Sequence, residues 1–308
     1  QKISTLYGKN YNIEDEITVT AGATQAIMTA ILAIVHPNDE VIVLEPCYDS
    51  YVPSIELAGG RVVRVALTPK TFRPDFDAIS KAITPKTIAI IINTPHNPSA
   101  TIWSEADMLK LQKLLEPTNI ILISDEVYEH MVYDEKLHQS AARFSSLSER
   151  AFIISSFGKT YHVTGWKVGY VVAPKELMIE FRKVHQFNVF SVNTPMQFAL
   201  ANYMTNNQSH NELSYFYQNK RDRFKKGLEN SGLKLLSSEG TYFQCADISG
   251  VSALSDIDFC RWLISEIGVA AIPMSVFYGS GFDEHIVRFC FAKKDETLDA
   301  AINKLLTI

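Results

Sequence analysis

Three stretches of this 308-residue chain carry side chains suited to covalent and acid–base chemistry. Asn93-Thr94-Pro95-His96-Asn97-Pro98 supplies amides. Asp125-Glu126-Val127-Tyr128 supplies carboxylates beside a phenol, and Ser155-Ser156-Phe157-Gly158-Lys159 supplies hydroxyls beside an amine. Each follows an apolar run, at 87–92, 120–123 and 152–154. A fourth stretch, Thr20-Ala21-Gly22-Ala23-Thr24, precedes a long helical pattern. Small residues at a helix N-terminus leave amide groups free to hold an anion, phosphate above all. Taken singly, each signal has a plainer use. Lys159 could be surface charge, Asp125 a helix cap, Asn97 a turn before proline, Tyr48 a wall of the sheet, and Arg288 half of an ion pair. Four such elements at successive strand ends favour a shared site.

The elements that must position them are legible as a pattern. Apolar runs at 41–44, 62–67, 87–92, 120–123, 152–154 and 168–172 read as buried parallel strands. Amphipathic helical patterns fall between them, near 24–35, 50–58, 75–82, 104–115 and 175–186. This predicts an α/β domain, a mostly parallel sheet flanked by helices, over residues 1–203. The pattern changes near Thr194-Pro195. A long helical region at 195–230 leads into strand-like pieces at 234–236, 242–247, 270–272 and 286–291, with helices at 256–267 and 295–306. That predicts a smaller α+β domain over residues 204–308. In open α/β sheets ligands bind beyond the carboxyl ends of the strands, which is where the chemical stretches lie.

Composition narrows the classes. Hydrophobic residues make up 46% and charged residues 20%, ordinary for a globular chain. The net charge of −5 argues against general electrostatic binding of nucleic acid. No apolar run approaches the ~18 residues needed to cross a bilayer. Cys47, Cys245, Cys260 and Cys290 have neither disulfide-framework nor metal-ligand spacing, which points to reduced thiols in a cytoplasmic protein and to no metal site. His130, His138 and His185 likewise lack metal-ligand spacing. His96 and His162 lie inside the motifs, with pocket and structural roles both open. Gly279-Ser280-Gly281 is a loop glycine pair and not a dinucleotide fingerprint.

An amine, a carboxylate, ring-oxygen donors and a phosphate cradle are together what pyridoxal phosphate requires. The run Ser156-Phe157-Gly158-Lys159-Thr160-Tyr161-His162-Val163-Thr164-Gly165-Trp166-Lys167-Val168-Gly169-Tyr170 resembles the lysine motif of the class I/II aminotransferases, fold type I. The Asn93–Pro98 and Ser124–Tyr128 stretches resemble two more of that family's motifs, in its order. The likeness covers the whole chain and is nearest the kynurenine/glutamine branch and its bacterial methionine-specific members. It implies a homodimer with residues 190–194 near the neighbour's site. It also implies roles. Lys159 would anchor the cofactor covalently and shuttle the proton. Asp125 would hold the pyridine nitrogen, and Asn97 and Tyr128 the ring oxygen. Tyr48 would stack on the ring. Gly22, Ala23, Thr24, Ser156 and Lys167 would cradle the phosphate, and Arg288, with Asn97 beside it, would clamp the substrate α-carboxylate. Three departures stand out. Lys167 replaces the family's common arginine, and Gly158 replaces a frequent serine. The family's N-terminal segment, with its glycine loop and a tyrosine reaching the neighbouring subunit, has no counterpart. Residues 1–7 read as the end of a helix stopped by Gly8, so further sequence is expected upstream.

The expected activity is therefore transfer of an amino group from an uncharged L-amino acid (methionine, with aromatic residues, glutamine or kynurenine as alternatives) to a 2-oxo acid. Tyr48, Phe157 and Tyr242 are the expected pocket walls, and no second arginine is evident for an acidic side chain. A C–S β-lyase on the same fold would use the same Lys159. A non-catalytic regulatory domain of this type would be fused to a basic helix-turn-helix, which is not seen.

Overall fold

The computed structural model describes residues 2–206 and 209–308. Strands β1 (Ile17–Thr20), β2 (Glu40–Glu45), β3 (Arg61–Ala66), β4 (Thr87–Asn93), β5 (Ile121–Asp125), β6 (Ala151–Ser156) and β7 (Gly169–Val172) form one sheet, in the order β1-β7-β6-β5-β4-β2-β3. The run from β6 to β3 is parallel throughout. Strand side chains alternate between faces, and here both faces are buried. Val41 and Val43 of β2 pack beneath the helix Ala23–Ile34, while Ile42 and Leu44 face the opposite layer with Met108 and Leu111 of the helix Glu105–Leu115. This is why those strands read as unbroken apolar runs. Helix starts follow their caps: Asp75 accepts from Asp77 and Ala78 N–H, and Ser104 forms a capping box with Asp107.

The expected parallel direction fails at one strand. β7 is antiparallel to both β6 and β1. Its connection from β6 holds only short turns, Phe157–Thr160 and Thr164–Trp166, with no helix long enough to carry the chain back along the sheet for a parallel return. It is still buried on both faces, with Tyr170 and Val172 in one layer and Val171 in the other. Burial, not direction, produced its apolar run. β1 itself had no strand-like reading.

The second sheet holds β8 (Lys234–Leu235), β9 (Phe243–Asp247), β10 (Ile272–Pro273) and β11 (Ile286–Cys290), antiparallel in the order β10-β11-β9-β8. Helices Leu213–Gly227, Asp256–Trp262 and Asp295–Leu305 cover it. The single long helix expected over 195–230 is instead two helices, Thr194–Asn206 and Leu213–Gly227, with a 3₁₀ turn at Ser209–Asn211. Ser209, His210, Asn211 and Glu212 offer no apolar side chain that could hold a continuous helix against a core. The two sheets share packing: Cys245, Met274 and Ile286 join the same apolar cluster as Ile42, Leu44 and Ile92.

Candidate active site

β4, β5 and β6 end side by side, with Asn93 opposite Asp125 and Asp125 opposite Ile154. The period of two sends successive carboxylates to different places. Asp125 faces the pocket, while Glu126 turns away to Ser124, the Ala141 N–H and His138. Asp125 is 4% exposed. Its Oδ2 accepts from the Tyr51 hydroxyl at 2.6 Å and its Oδ1 from the Val127 N–H at 3.2 Å. Burial raises its pKa to about 6, against the opposing pull of those two donors and Lys159. Asn93 ties the neighbouring loop in place. Its amide donates to the Asp125 carbonyl at 2.8 Å and its Oδ1 accepts the Asn97 N–H at 2.8 Å.

Lys159 lies in the short helix Phe157–Thr160 that follows β6. Its amine donates to the Tyr242 hydroxyl at 2.9 Å, and the Tyr128 hydroxyl donates to the same oxygen at 3.4 Å. Tyr128 is buried, which raises its pKa well above the usual phenol range, and Tyr242 adds to the rise.

The anion cradle is built at the start of the helix Ala23–Ile34. Gly22 sits at φ 85°, a backbone that glycine adopts freely, and offers no side chain to cap the first turn. A Cβ there would stand 3.5 Å from Lys167 Cε and 3.6 Å from its Nζ, so the Lys167 ammonium lies over this turn. Below it, a Cβ on Gly169 would come within 2.7 Å of the Ser155 carbonyl oxygen and 3.1 Å of the Ala23 nitrogen. Only glycine lets β7 pass so close. The Ser156 hydroxyl accepts the Gly158 N–H at 3.1 Å, which leaves its own proton free to donate. The Thr24 and Tyr48 hydroxyls are 3.3 Å apart on the rim.

Arg288 reaches the site from β11. Its Nη1 donates to Asn97 Oδ1 at 2.5 Å. Its guanidinium lies 4.0 Å from the Phe243 ring centre and 4.9 Å from that of Phe277. Its Nε is buried and unpartnered, and burial lowers its pKa.

These elements enclose a pocket with about 690 Å³ of empty space, its open mouth included. Its walls bring together every cofactor-contacting residue expected from sequence, from Gly22 to Lys167. Arg288 joins through Asn97. The donor set fits pyridoxal phosphate: a buried carboxylate at the base, an amine beside it, and an amide-and-lysine cradle at the far end. Sequence reasoning missed Tyr51, Asn93 and Thr164. A tyrosine three residues after Tyr48 was a usable signal, because a buried phenol needs a partner. Of the expected pocket walls Tyr48 lines the pocket, whereas Phe157 and Tyr242 do not: the Phe157 ring packs on Tyr170 and Tyr161, and Tyr242 meets the site only through its hydroxyl on Lys159. His96 is structural, bonded to Ser99 and lowered by burial to about 4. His162 stacks on Tyr217. Among the described residues, no group of three or more His, Cys, Asp or Glu could hold a metal.

Residues 1–305 match the family described as aminotransferase class I and II. The chain is 50% identical over 306 residues to the methionine aminotransferase of Escherichia coli K12, covering 99% of this chain and 79% of that protein. It is 39% identical to a probable N-succinyldiaminopimelate aminotransferase of Mycobacterium tuberculosis, covering 97% of this chain and 78% of that one. A crystal structure of Escherichia coli YbdL, described as having a methionine aminotransferase function, superposes with a TM-score of 0.98 at 49% identity, covering 100% of this chain and 82% of that one.

Proposed function

The chain belongs to the class I and II aminotransferases, and on that premise we propose that it takes the amino group of an uncharged L-amino acid, methionine foremost, and passes it to a 2-oxo acid. The enzyme is a transaminase and its cofactor is pyridoxal phosphate. When bound, that cofactor supplies an electron sink for charge developing at the substrate Cα.

The chain's own residues do the rest in this reading. Lys159 is the point of covalent attachment and, as an amine, takes and returns the Cα proton. Asp125 holds the pyridine nitrogen, with its carboxylate fixed by Tyr51 and Val127. Asn97 and Tyr128 hold the ring oxygen, and Tyr48 supplies a ring face. The first-turn amides at Ala23 and Thr24, the hydroxyls of Thr24 and Ser156, and the Lys167 ammonium hold the phosphate. Arg288 receives the substrate α-carboxylate. Its planar face is held by two phenyl rings, and its bond to Asn97 sets the angle of the fork.

The observation that carries the substrate class is the 50% identity over 306 residues to the methionine aminotransferase of Escherichia coli. An acidic side chain would call for a second fork of donors. Steady-state rates with methionine, phenylalanine, glutamine and aspartate test this. Methionine and phenylalanine should exceed aspartate by at least about tenfold in kcat/KM, the factor that about 1.4 kcal/mol of discrimination gives. Aspartate as the best donor would overturn it.

We take residues 1–203 as the cofactor-binding domain and 204–308 as the smaller one. The active unit is a homodimer in the cytoplasm. Phe187, Phe190 and Phe198 support the dimer, because they expose 87%, 83% and 70% of their surface near one another in sequence. Four unpaired cysteines support the compartment. Among the described residues no helix is long and apolar enough to cross a membrane.

A further inference from the structure

Tyr242 stands just before β9, at the end of a segment held under backbone strain. Thr241 is fully buried and has φ 64°, the left-handed region that a β-branched residue adopts only under strain. Three hydrogen bonds hold it there. Its N–H donates to the Met131 carbonyl at 2.9 Å, its carbonyl accepts from the Tyr133 hydroxyl, and its own hydroxyl accepts the Phe243 N–H at 3.2 Å. One residue earlier, a Cβ on Gly240 would lie 2.7 Å from the Met131 carbonyl and 2.8 Å from Pro95 Cβ, so the segment is pressed flat against the large sheet's loops. The result is a phenol aimed out of the small sheet at Lys159.

We propose that the Tyr242 hydroxyl is a further catalytic group, which holds the Lys159 amine and turns its lone pair toward the substrate Cα. The inference rests on the proposed role of Lys159. A neutral amine has two N–H bonds and one lone pair. With one N–H committed to the Tyr242 oxygen at 2.9 Å, rotation about the Cε–Nζ bond is restricted and the lone pair is left for the incoming proton. Once protonated, the ammonium keeps the same anchor and presents its remaining N–H bonds to the pocket. The rings of Tyr128, Phe243 and Tyr217 pack around Tyr242 at centroid distances of 5.3, 4.8 and 5.7 Å, so the phenol cannot swing aside.

Tyr242→Phe removes the oxygen and keeps the ring. In the cofactor-loaded enzyme with methionine, kcat should fall about tenfold or more, the scale of a misplaced reacting group. KM should stay within about twofold, and the deuterium isotope effect of Cα-deuterated methionine on kcat should rise. In the cofactor-stripped protein, the borohydride-trapped label from pyridoxal phosphate should form on Lys159 several-fold more slowly than in the wild type. If both kcat and the labelling rate stay within about twofold, Tyr242 is a wall and the inference fails. If KM rises with kcat unchanged, the hydroxyl reads the substrate and the inference also fails. Lys159→Ala separates the two levels. Wild-type label on another lysine would sink the role of Lys159 and Tyr242 together, whereas Lys159 labelling with an unaffected Tyr242→Phe sinks only the second.

Discussion

Asp125→Asn should stabilise the cofactor-free protein at neutral and alkaline pH while abolishing activity. Burial raises the Asp125 carboxyl from its ordinary value near 3.8 to about 6. The folded state therefore binds this proton more tightly than the unfolded chain does. The group's contribution to stability is fully present below about pH 3.8 and is lost as pH rises through about 6. A rise of a little over two pH units, at about 1.4 kcal/mol each, amounts to about 3 kcal/mol at pH 8. Asparagine keeps the shape and never ionises. It loses some hydrogen bonding, because an amide cannot accept from both Tyr51 and Val127 as a carboxylate does; one such loss costs about 1 kcal/mol. The net gain is about 2 kcal/mol at pH 8, a few degrees of Tm for a chain of this size. It should shrink on acidification and reverse near pH 4. Thermal melts of stripped wild-type and variant protein from pH 4 to 8 measure it. The reasoning is refuted if the variant is destabilised equally at pH 5 and pH 8. Turnover of the loaded variant should drop by orders of magnitude, since a neutral amide cannot hold the pyridine nitrogen protonated.

Lys159→Ala should abolish turnover yet still bind the cofactor non-covalently, as read by equilibrium dialysis; retained turnover would remove Lys159 from the mechanism. Arg288→Lys should raise KM for every amino donor alike and lower kcat, because the fork that meets a carboxylate is lost whatever the side chain. An effect confined to one donor would mean that Arg288 reads the side chain. Phe190→Asp should convert a dimer to monomers in light scattering of the cofactor-loaded protein, and an unchanged mass would place the interface elsewhere.

What was legible in the sequence was whatever is encoded locally. Lys159, Asp125 and Asn97 each follow an apolar run, and a run's end marks a strand's end whichever strands lie beside it. The helix starts at Phe76 and Glu105 were visible through Asp75 and Ser104, because a cap acts within one turn. What depends on distant partners was not visible. β7 looks like its parallel neighbours because burial, which both share, determines composition. Tyr51 gains its meaning only from Asp125, and Phe157 turned toward Tyr170 because β7 runs back beside it. The turn at Ser209–Asn211 escapes a sequence reading because polar residues at helical spacing look like a continuous amphipathic pattern.

The antiparallel placement of β7 also sets an order of events as the chain folds. Thr20 pairs with Gly169, so β1 has no partner until nearly the whole large sheet has been synthesised. The cradle residues 22–24 wait equally long for Lys167. Tyr51 and Asp125 are separated by 74 residues, Lys159 and Tyr242 by 83, and Asn97 and Arg288 by 191. Contacts this remote incur loop-closure entropy before they return any stabilisation, which slows folding. A nascent chain therefore cannot capture the cofactor piecemeal. The polypeptide must first close its sheet and bury Asp125 unaided, and until Gly169 arrives Ile17–Thr20 is an unpaired strand open to the wrong neighbour.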